Sequence, residues 1–175
     1  MDVRLLGTIL IFTALGSLRQ LTADTLSAHV SVDTSTAGVW SYTVFNDEPT
    51  GSPNYVTAFN LNVDAPVTVT GIPAGWDVDT NNTTFVFWFN TDAVLPYPHD
   101  IAPGSSLGGF MISSPGSVSD VITATAVSWD HSLDQPGPTS DLLSVLGPAS
   151  VPEPSSSLLF VAGTLMWLIR RRSSL

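Results

Sequence analysis

Short runs of alternating apolar and polar residues, separated by turn-forming residues, fill the middle of the chain. The runs are rich in valine, threonine and aromatic residues, and Gly, Pro, Asn or Asp interrupts them about every 8–12 residues, which is typical of strands joined by turns. The predicted strands are Leu26–Val32, Gly38–Asn46, Tyr55–Val63, Val67–Thr70, Thr83–Asn90, Leu107–Ser113 and Val118–Trp129. The pattern predicts an all-β fold, an antiparallel β-sandwich of immunoglobulin-like type.

The alternation also predicts which side chains form the core. Trp40, Tyr42 and Val44 share one face of their strand, since side chains two residues apart point the same way. Residues 83–89 contain apolar side chains on both faces, which predicts a central strand buried on both sides. We therefore expect Trp40 and Trp88 to lie in the core.

The alternation ends near residue 131, where proline and serine become frequent. We predict that residues 24–131 form the sandwich domain and that 132–157 form a Pro/Ser-rich linker. Within the linker, Asp141–Leu146 fits either a short helical turn or a final strand.

The N-terminal segment has the layout of a secretory signal peptide. Arg4 precedes an apolar region from Leu5 to Leu18, and Arg19 and a polar stretch follow. We predict a signal peptide over residues 1–23, with Ala23 at the cleavage position. A buried first helix is the alternative.

The C-terminal segment combines one uncharged apolar run with a terminal arginine cluster. Residues 158–169 carry no charge, and Arg170, Arg171 and Arg172 follow them directly. At about 1.5 Å per residue, residues 155–169 span about 22 Å as a helix, which is shorter than the roughly 30 Å hydrocarbon core. We predict a short transmembrane helix over 158–169 and a cytoplasmic tail over 170–175, held inside by the arginines. A buried C-terminal helix is the alternative, although this segment is not amphipathic.

The residues before this helix carry a recognisable motif, Val151-Pro152-Glu153-Pro154. Pro-Glu-Pro, a short apolar helix and an arginine run, in that order, resemble the PEP-CTERM sorting signal of exopolysaccharide-producing Gram-negative bacteria, over about residues 151–173. The resemblance implies that an exosortase in the inner membrane cleaves near Pro152–Pro154. It also implies a transient membrane anchor and delivery to the cell surface or extracellular matrix.

The charges divide sharply along the chain. All five basic residues are arginines in the two terminal segments, whereas only Asp2 and Glu153 of the 15 acidic residues lie outside 24–151. A domain without Lys or Arg cannot neutralise phosphates, so nucleic acid is excluded as a partner. Cysteine is absent, which excludes thiol chemistry and disulfides.

Two sets of residues are candidates for binding. Asp77, Asp79 and Asn81 alternate as oxygen ligands do at the start of a calcium loop, but the remaining EF-hand positions are missing. The preferred interpretation is a turn between a strand near Trp76 and the strand Thr83–Asn90. Trp76 and Tyr97 lie in predicted loops, where aromatic rings are candidates for carbohydrate contact.

These observations favour an exported, non-enzymatic surface or biofilm-matrix protein that is processed by an exosortase and needs no cofactor. No nucleophile elbow, histidine pair with zinc spacing or phosphate loop appears in the sequence. The alternative is a carbohydrate-binding module that contacts exopolysaccharide through loop aromatic and acidic residues. A third possibility is a glycosidase, which requires two carboxylates facing each other in a groove.

Overall fold

The computed structural model describes residues 24–151, which form two antiparallel β-sheets. The strands in chain order are β1 (Ala28–Asp33), β2 (Val39–Asn46), β3 (Asn54–Asn62), β4 (Thr68–Gly71), β5 (Trp76–Thr80), β6 (Phe85–Asn90), β7 (Ser106–Ser113), β8 (Val118–Asp130), β9 (Gln135–Thr139) and β10 (Leu143–Ala149). One sheet has four strands in the order β1-β2-β7-β4. The other has six strands, with β10-β8-β3-β6-β5 in order and β9 paired with β8.

The inner faces of the two sheets pack against each other through aromatic rings. Tyr42 and Phe110 come from the four-stranded sheet, and Phe59 and Trp88 come from the six-stranded sheet; none of these four side chains is exposed. The ring of Phe59 lies 5.6 Å from those of Trp88 and Phe110, centroid to centroid. Burying each apolar side chain contributes about 1.5–3 kcal/mol, so this contact joins the sheets. The predicted core positions of Trp88 and Trp40 are confirmed.

The predicted all-β class and antiparallel sheets are confirmed, and each of the seven predicted strands overlaps an observed one. The prediction of a linker starting at residue 132 is wrong, because β9 and β10 both extend the six-stranded sheet. β10 pairs with β8 from Val118 to Ala124, and β9 pairs with the second half of β8. The prolines of β9 do not indicate a linker, because β9 forms an edge strand, where a residue without an N–H is tolerated.

The prediction that residues 83–89 are buried on both faces is also wrong. Val86 and Trp88 of β6 point inward and are fully buried, whereas Phe85, Phe87 and Phe89 point outward and are only partly covered. A sheet in a two-layer sandwich has one inner face, so apolar residues on both faces of a strand leave one set at the surface.

Several predicted segments fall outside the described residues. These are the signal peptide (1–23), the end of the predicted linker with the Pro-Glu-Pro motif, the helix 158–169 and the arginine tail. Between residues 24 and 151, no helix is long and apolar enough to cross a bilayer.

Candidate binding cleft

A loop over residues 91–105 follows β6 and runs beside the part of β3 that β6 does not cover. Ile101 exchanges two backbone hydrogen bonds with Val56 of β3, at 2.9 and 3.0 Å, where β6 no longer pairs with β3. The buried side chain of Asn46 donates to the carbonyls of Ile101 and Asn54, each at 2.9 Å. The loop is thus fixed at its middle by the sandwich itself, and long ordered loops of this kind often carry function.

The loop and the outer face of the six-stranded sheet enclose a cleft of about 420 Å³. We call it the aromatic cleft, and its lining residues are Thr57, Ala58, Phe87, Phe89, Asn90, Asp92, Tyr97, Asp100, Val127, Ser128, Trp129 and Pro136. Its volume lies within the range of about 300–1,000 Å³ that is usual for ligand pockets, and its lining is mainly apolar with a few polar groups.

Four aromatic rings form the walls of the aromatic cleft. Phe87 and Phe89 lie two residues apart on β6 and their rings stack, with 5.8 Å between centroids. Tyr97 and Trp129 are joined by Asp134, whose Oδ1 accepts from the Tyr97 hydroxyl at 2.8 Å and from the Trp129 indole N–H at 3.1 Å. One carboxylate therefore fixes a loop ring and a strand ring relative to each other.

We call Asp134 and its two hydrogen-bond partners the Asp134 clamp, and its backbone is strained. Tyr97 and Asp134 both have a φ of 50°, in the left-handed region that residues with a Cβ rarely adopt. Such conformations cost of order 1–3 kcal/mol each and persist where surrounding contacts hold them, often at binding sites. The strained pair is also the pair joined by the Tyr97–Asp134 hydrogen bond.

A buried polar network lies behind the walls. Asp100 Oδ2 is 2.7 Å from Nε2 of His131, and its Oδ1 accepts from the side-chain amide of Asn90. The same amide donates to Asp92 at 3.1 Å, and Asp92 also accepts from the backbone and ring of His99, each at 3.0 Å. His131 stacks on Tyr55 with 3.7 Å between ring centroids. The side chain of Asp100 is 1% exposed and that of Asp92 is 17% exposed, so only Asp92 reaches solvent to any degree.

The surroundings shift the pKa values of these groups in different directions. The backbone hydrogen bond from His99 is the main cause that lowers the pKa of Asp92. Hydrogen bonds from Tyr97 and then Trp129 lower the pKa of Asp134, and the same bond from Tyr97 raises the pKa of its own phenol. Burial raises the pKa of Asp100, and hydrogen bonds from His131 and Asn90 oppose that shift. Asp92 and Asp134 are therefore firmly anionic at neutral pH.

A β-bulge lies in strand β3 where that strand lines the aromatic cleft. The register between β3 and β8 shifts between Val56 and Ala58, which leaves Thr57 as the extra residue. A bulge redirects a side chain and increases the local twist of the strand. Thr57 and Ala58 both line the cleft, so the bulge contributes two small side chains to its lining.

Of the two residues predicted for carbohydrate contact, Tyr97 lies at the aromatic cleft and Trp76 lies in the core. Tyr97 lines the aromatic cleft, half-buried at its rim. Trp76 does not: it is 6% exposed, its ring packs edge-on against Phe110 at 5.1 Å, and its indole donates to the His99 carbonyl at 2.9 Å. The prediction for Trp76 is wrong, because it is an inward-facing residue of β5.

The calcium candidates do not form a site. Asp77 and Asp79 lie on the exposed side of β5, whereas the Asn81 oxygen accepts from the backbone amides of Thr83 and Thr84 in the following turn. Among residues 24–151, no three His or acidic side chains are grouped closely enough to hold a metal ion. Of the sorting residues, Val151 is the last that the structure describes, and Pro152, Glu153, Pro154 and the three arginines lie outside it.

The sequence interpretation did not single out Phe87, Phe89 or Asp134 for binding. A signal for the two phenylalanines exists, since their strand is apolar on both faces in a two-layer fold. No local signal exists for Asp100 and His131, which meet across 31 residues of sequence.

Comparison with known proteins assigns no family to this chain. No protein-family model and no curated protein matches the chain. Domains D2 and D3 of the major pilin SpaD from Corynebacterium diphtheriae align with 67% of this chain and 51% of theirs, at 12% identity and a TM-score of 0.41. A GH20 exo-β-N-acetylglucosaminidase from Vibrio harveyi aligns with 75% of this chain and 19% of its own, at 11% identity and a TM-score of 0.40. The chain spans about half of the first structure and about a fifth of the second, and similarity at this level assigns neither family nor activity.

Proposed function

We propose that the protein is an exported, non-enzymatic surface or biofilm-matrix protein that an exosortase processes at its PEP-CTERM signal. In this proposal the signal peptide directs export, and residues 158–169 hold the chain transiently in the inner membrane. Arg170–Arg172 keep the tail in the cytoplasm, and cleavage near Glu153 releases the sandwich domain to the surface or matrix.

One observation carries this proposal: the three-part order of the tail, placed directly after the last strand. β10 ends at Ala149, and Val151-Pro152-Glu153-Pro154 follows at once. Cleavage near Glu153 would therefore remove no strand of either sheet. The charge distribution agrees, since every arginine lies in a terminal segment and the sandwich has none.

The test is cell fractionation combined with intact-mass measurement of the exported protein. The native host should yield a surface or matrix form that ends near Glu153, and a strain without its exosortase should retain the full C-terminal segment in the membrane. Replacing Pro152, Glu153 and Pro154 with alanine should block cleavage, whereas alanine at Ser155–Ser157 is the matched control. A cytoplasmic protein, or an exported form with an intact tail, would contradict the proposal.

The state of Asp100 supports a non-enzymatic role. Asp92 and Asp100 are paired carboxylates with oppositely shifted pKa values, as in some glycosidases. However, Asp100 is 1% exposed and both of its oxygens already accept hydrogen bonds, so it has no free path to a glycosidic oxygen.

We also infer that the sandwich belongs to the immunoglobulin-like subclass. The orders β1-β2-β7 and β10-β8-β3 correspond to strands A-B-E and G-F-C of that fold. Strand β4 completes the first sheet beside β7, in the position of strand D.

The aromatic cleft favours a second function, a carbohydrate-binding module. Sugars present apolar C–H faces and polar edges, and the cleft offers aromatic rings together with Asn90 and Asp92. In this proposal Tyr97 contacts exopolysaccharide, as the sequence predicts, and Trp129 and the two phenylalanines replace Trp76. Polysaccharide pull-downs should weaken in Tyr97→Ala, and a Tyr97→Ala protein that is retained as well as wild type would contradict this function.

A further inference from the structure

The aromatic cleft also limits the charge of the ligand it can take. Asp92 lines it with a partly exposed carboxylate, Asp100 lines it but is buried and hydrogen-bonded, and Asp134 bonds Tyr97 and Trp129. Residues 24–151 contain no Lys or Arg, so within the described domain the only basic side chains are three histidines, each paired with an aspartate. An anionic sugar would meet the partly exposed carboxylate of Asp92 with no Lys or Arg in residues 24–151 to offset the repulsion, whereas a cationic group would be attracted.

The aromatic walls suit a cation as well as a sugar ring. An ammonium group placed over the face of Trp, Tyr or Phe is attracted by the ring quadrupole, and the effect grows when the group is desolvated. Phe87, Phe89, Tyr97 and Trp129 all line the same cleft as Asp92. Aromatic faces next to a partly exposed carboxylate are complementary to a protonated amine on an otherwise uncharged ring.

The cleft is held in shape before any ligand arrives. The Asp134 clamp fixes Tyr97 to Trp129, and Asn90 joins Asp92 to Asp100. His99, which bonds Asp92, packs against Gly75 so closely that a Cβ there would lie 2.1 Å from the ring carbon Cγ. Preorganisation of this kind lowers the entropy lost on binding.

We propose that the aromatic cleft binds a glycan whose sugars carry free amino groups, such as 2-amino-2-deoxyhexose units. The amine interacts with Asp92 and the neighbouring ring faces, and the sugar ring lies against Phe87, Phe89 and Tyr97. This inference rests on the carbohydrate-binding function proposed above and adds the chemical class of the ligand.

The test titrates the full-length protein in detergent by calorimetry, at a pH below about 7 so that the amine is protonated. The probes are a glucosamine hexamer, the N-acetylglucosamine hexamer, and pentalysine as a cation without sugar. We expect the glucosamine hexamer to bind at least about tenfold more tightly than either of the other two, a difference of about 1.4 kcal/mol. Phe89→Ala and Asp92→Asn should each weaken that binding about tenfold.

Two control variants separate the cleft from the remaining surface. Phe85→Ala removes a third outward ring of β6 that does not line the cleft, and Asp33→Asn removes an acid on the other sheet. Both should bind as wild type, and circular dichroism should verify that each cleft variant is folded.

Other outcomes overturn specific parts of the inference. Equal binding of the two hexamers overturns the requirement for an amine and leaves carbohydrate binding in place. Equal binding of pentalysine shows attraction by charge alone and also overturns the inference. Binding of no probe removes this inference, whereas the export proposal is decided separately by fractionation and mass.

Discussion

The outer faces of the two sheets differ in composition, although their inner faces are alike. The four-stranded sheet presents Ser41, Thr43 and Ser113 outward along its two central strands, together with Met111 and Phe45, whose ring stacks on His29 with 4.3 Å between centroids. At corresponding outward positions, the six-stranded sheet presents Phe87 and Phe89. The first face mixes scattered apolar side chains with hydroxyl groups, whereas the second groups two stacked rings at one cleft with Trp129 and Tyr97.

The difference shows what the long loop contributes. The 91–105 loop runs from β6 to β7, and it encloses one end of the outer six-stranded face, to which it carries Asp92, Tyr97 and Asp100. Rings alone would form an exposed apolar stripe. With the loop in place they become walls of a cleft that contains fixed polar groups.

The largest loss of stability is expected for a substitution on the inner side of β6, and a much smaller loss for one on its outer side. Trp88→Ala should lower the free energy of unfolding by about 3–5 kcal/mol, because it leaves a cavity at a fully buried site. Phe87→Ala, one residue earlier and outward, should cost about 1 kcal/mol. Urea unfolding measures both, and equal losses would show that the outer face is also part of the core.

The next largest loss of stability is expected at Asn46, which anchors the 91–105 loop. Asn46→Ala removes a buried amide that bonds two carbonyls and should cost about 2–3 kcal/mol, since those carbonyls lose their partner. Asn62→Ala is the matched control on the outer face, where the amide bonds Thr123 and a change within about 0.5 kcal/mol is expected. Thermal unfolding compares them, and an Asn46 variant as stable as the control would refute the anchoring role.

A third prediction concerns the packing of His99. Gly75 has a φ of 78° and no room for a Cβ beside the His99 ring. Gly75→Ala should therefore destabilise the domain by about 1–2 kcal/mol and move His99 away from Asp92. Gly51→Ala is the control, since its φ is also positive (97°) but nothing lies within 4 Å of the added Cβ. Equal effects of the two substitutions on unfolding would show that backbone strain alone matters.

The smallest effect is the pH dependence of the Asp134 clamp. Its pKa is lowered in the folded state, so its stabilising contribution is present above the unfolded pKa of about 3.9 and is lost as the pH falls through the folded value. Asp134→Asn should lower Tm at pH 7, and the difference from wild type should shrink below about pH 4. Asp79→Asn on exposed β5 should leave Tm nearly unchanged. A difference that is constant with pH would contradict the role given to the Asp134 charge.

Much of the fold could be predicted from local patterns. Alternation identified the long strands with a buried face, strictly in β2 and in the second half of β3, because one buried face requires a period of two. Strand β9 was missed and β10 was left as one of two alternatives for Asp141–Leu146, because their Pro and Ser content matches that of a linker. Their pairing with β8 depends on the rest of the sheet and not on local preference.

The candidate site was predicted less well for a related reason. Tyr97 was identified because prolines on both sides mark a loop, but the other walls come from strands that the loop covers only in the folded chain. Trp76 was assigned to a loop from its Pro-Ala-Gly neighbours, although it is the first residue of β5 and faces the core. Contacts such as Tyr97–Asp134 span 37 residues and leave no periodic signal in the sequence.

The most direct test of the contrast between the two faces is a map of amide chemical shifts on adding the glucosamine hexamer to the full-length protein in detergent micelles. We expect shifts at the aromatic cleft, including the Tyr97 loop, Phe89 and the Trp129 indole, with Ser41, Thr43 and Ser113 unchanged. Shifts spread equally over both sheets, or confined to the four-stranded face, would contradict it.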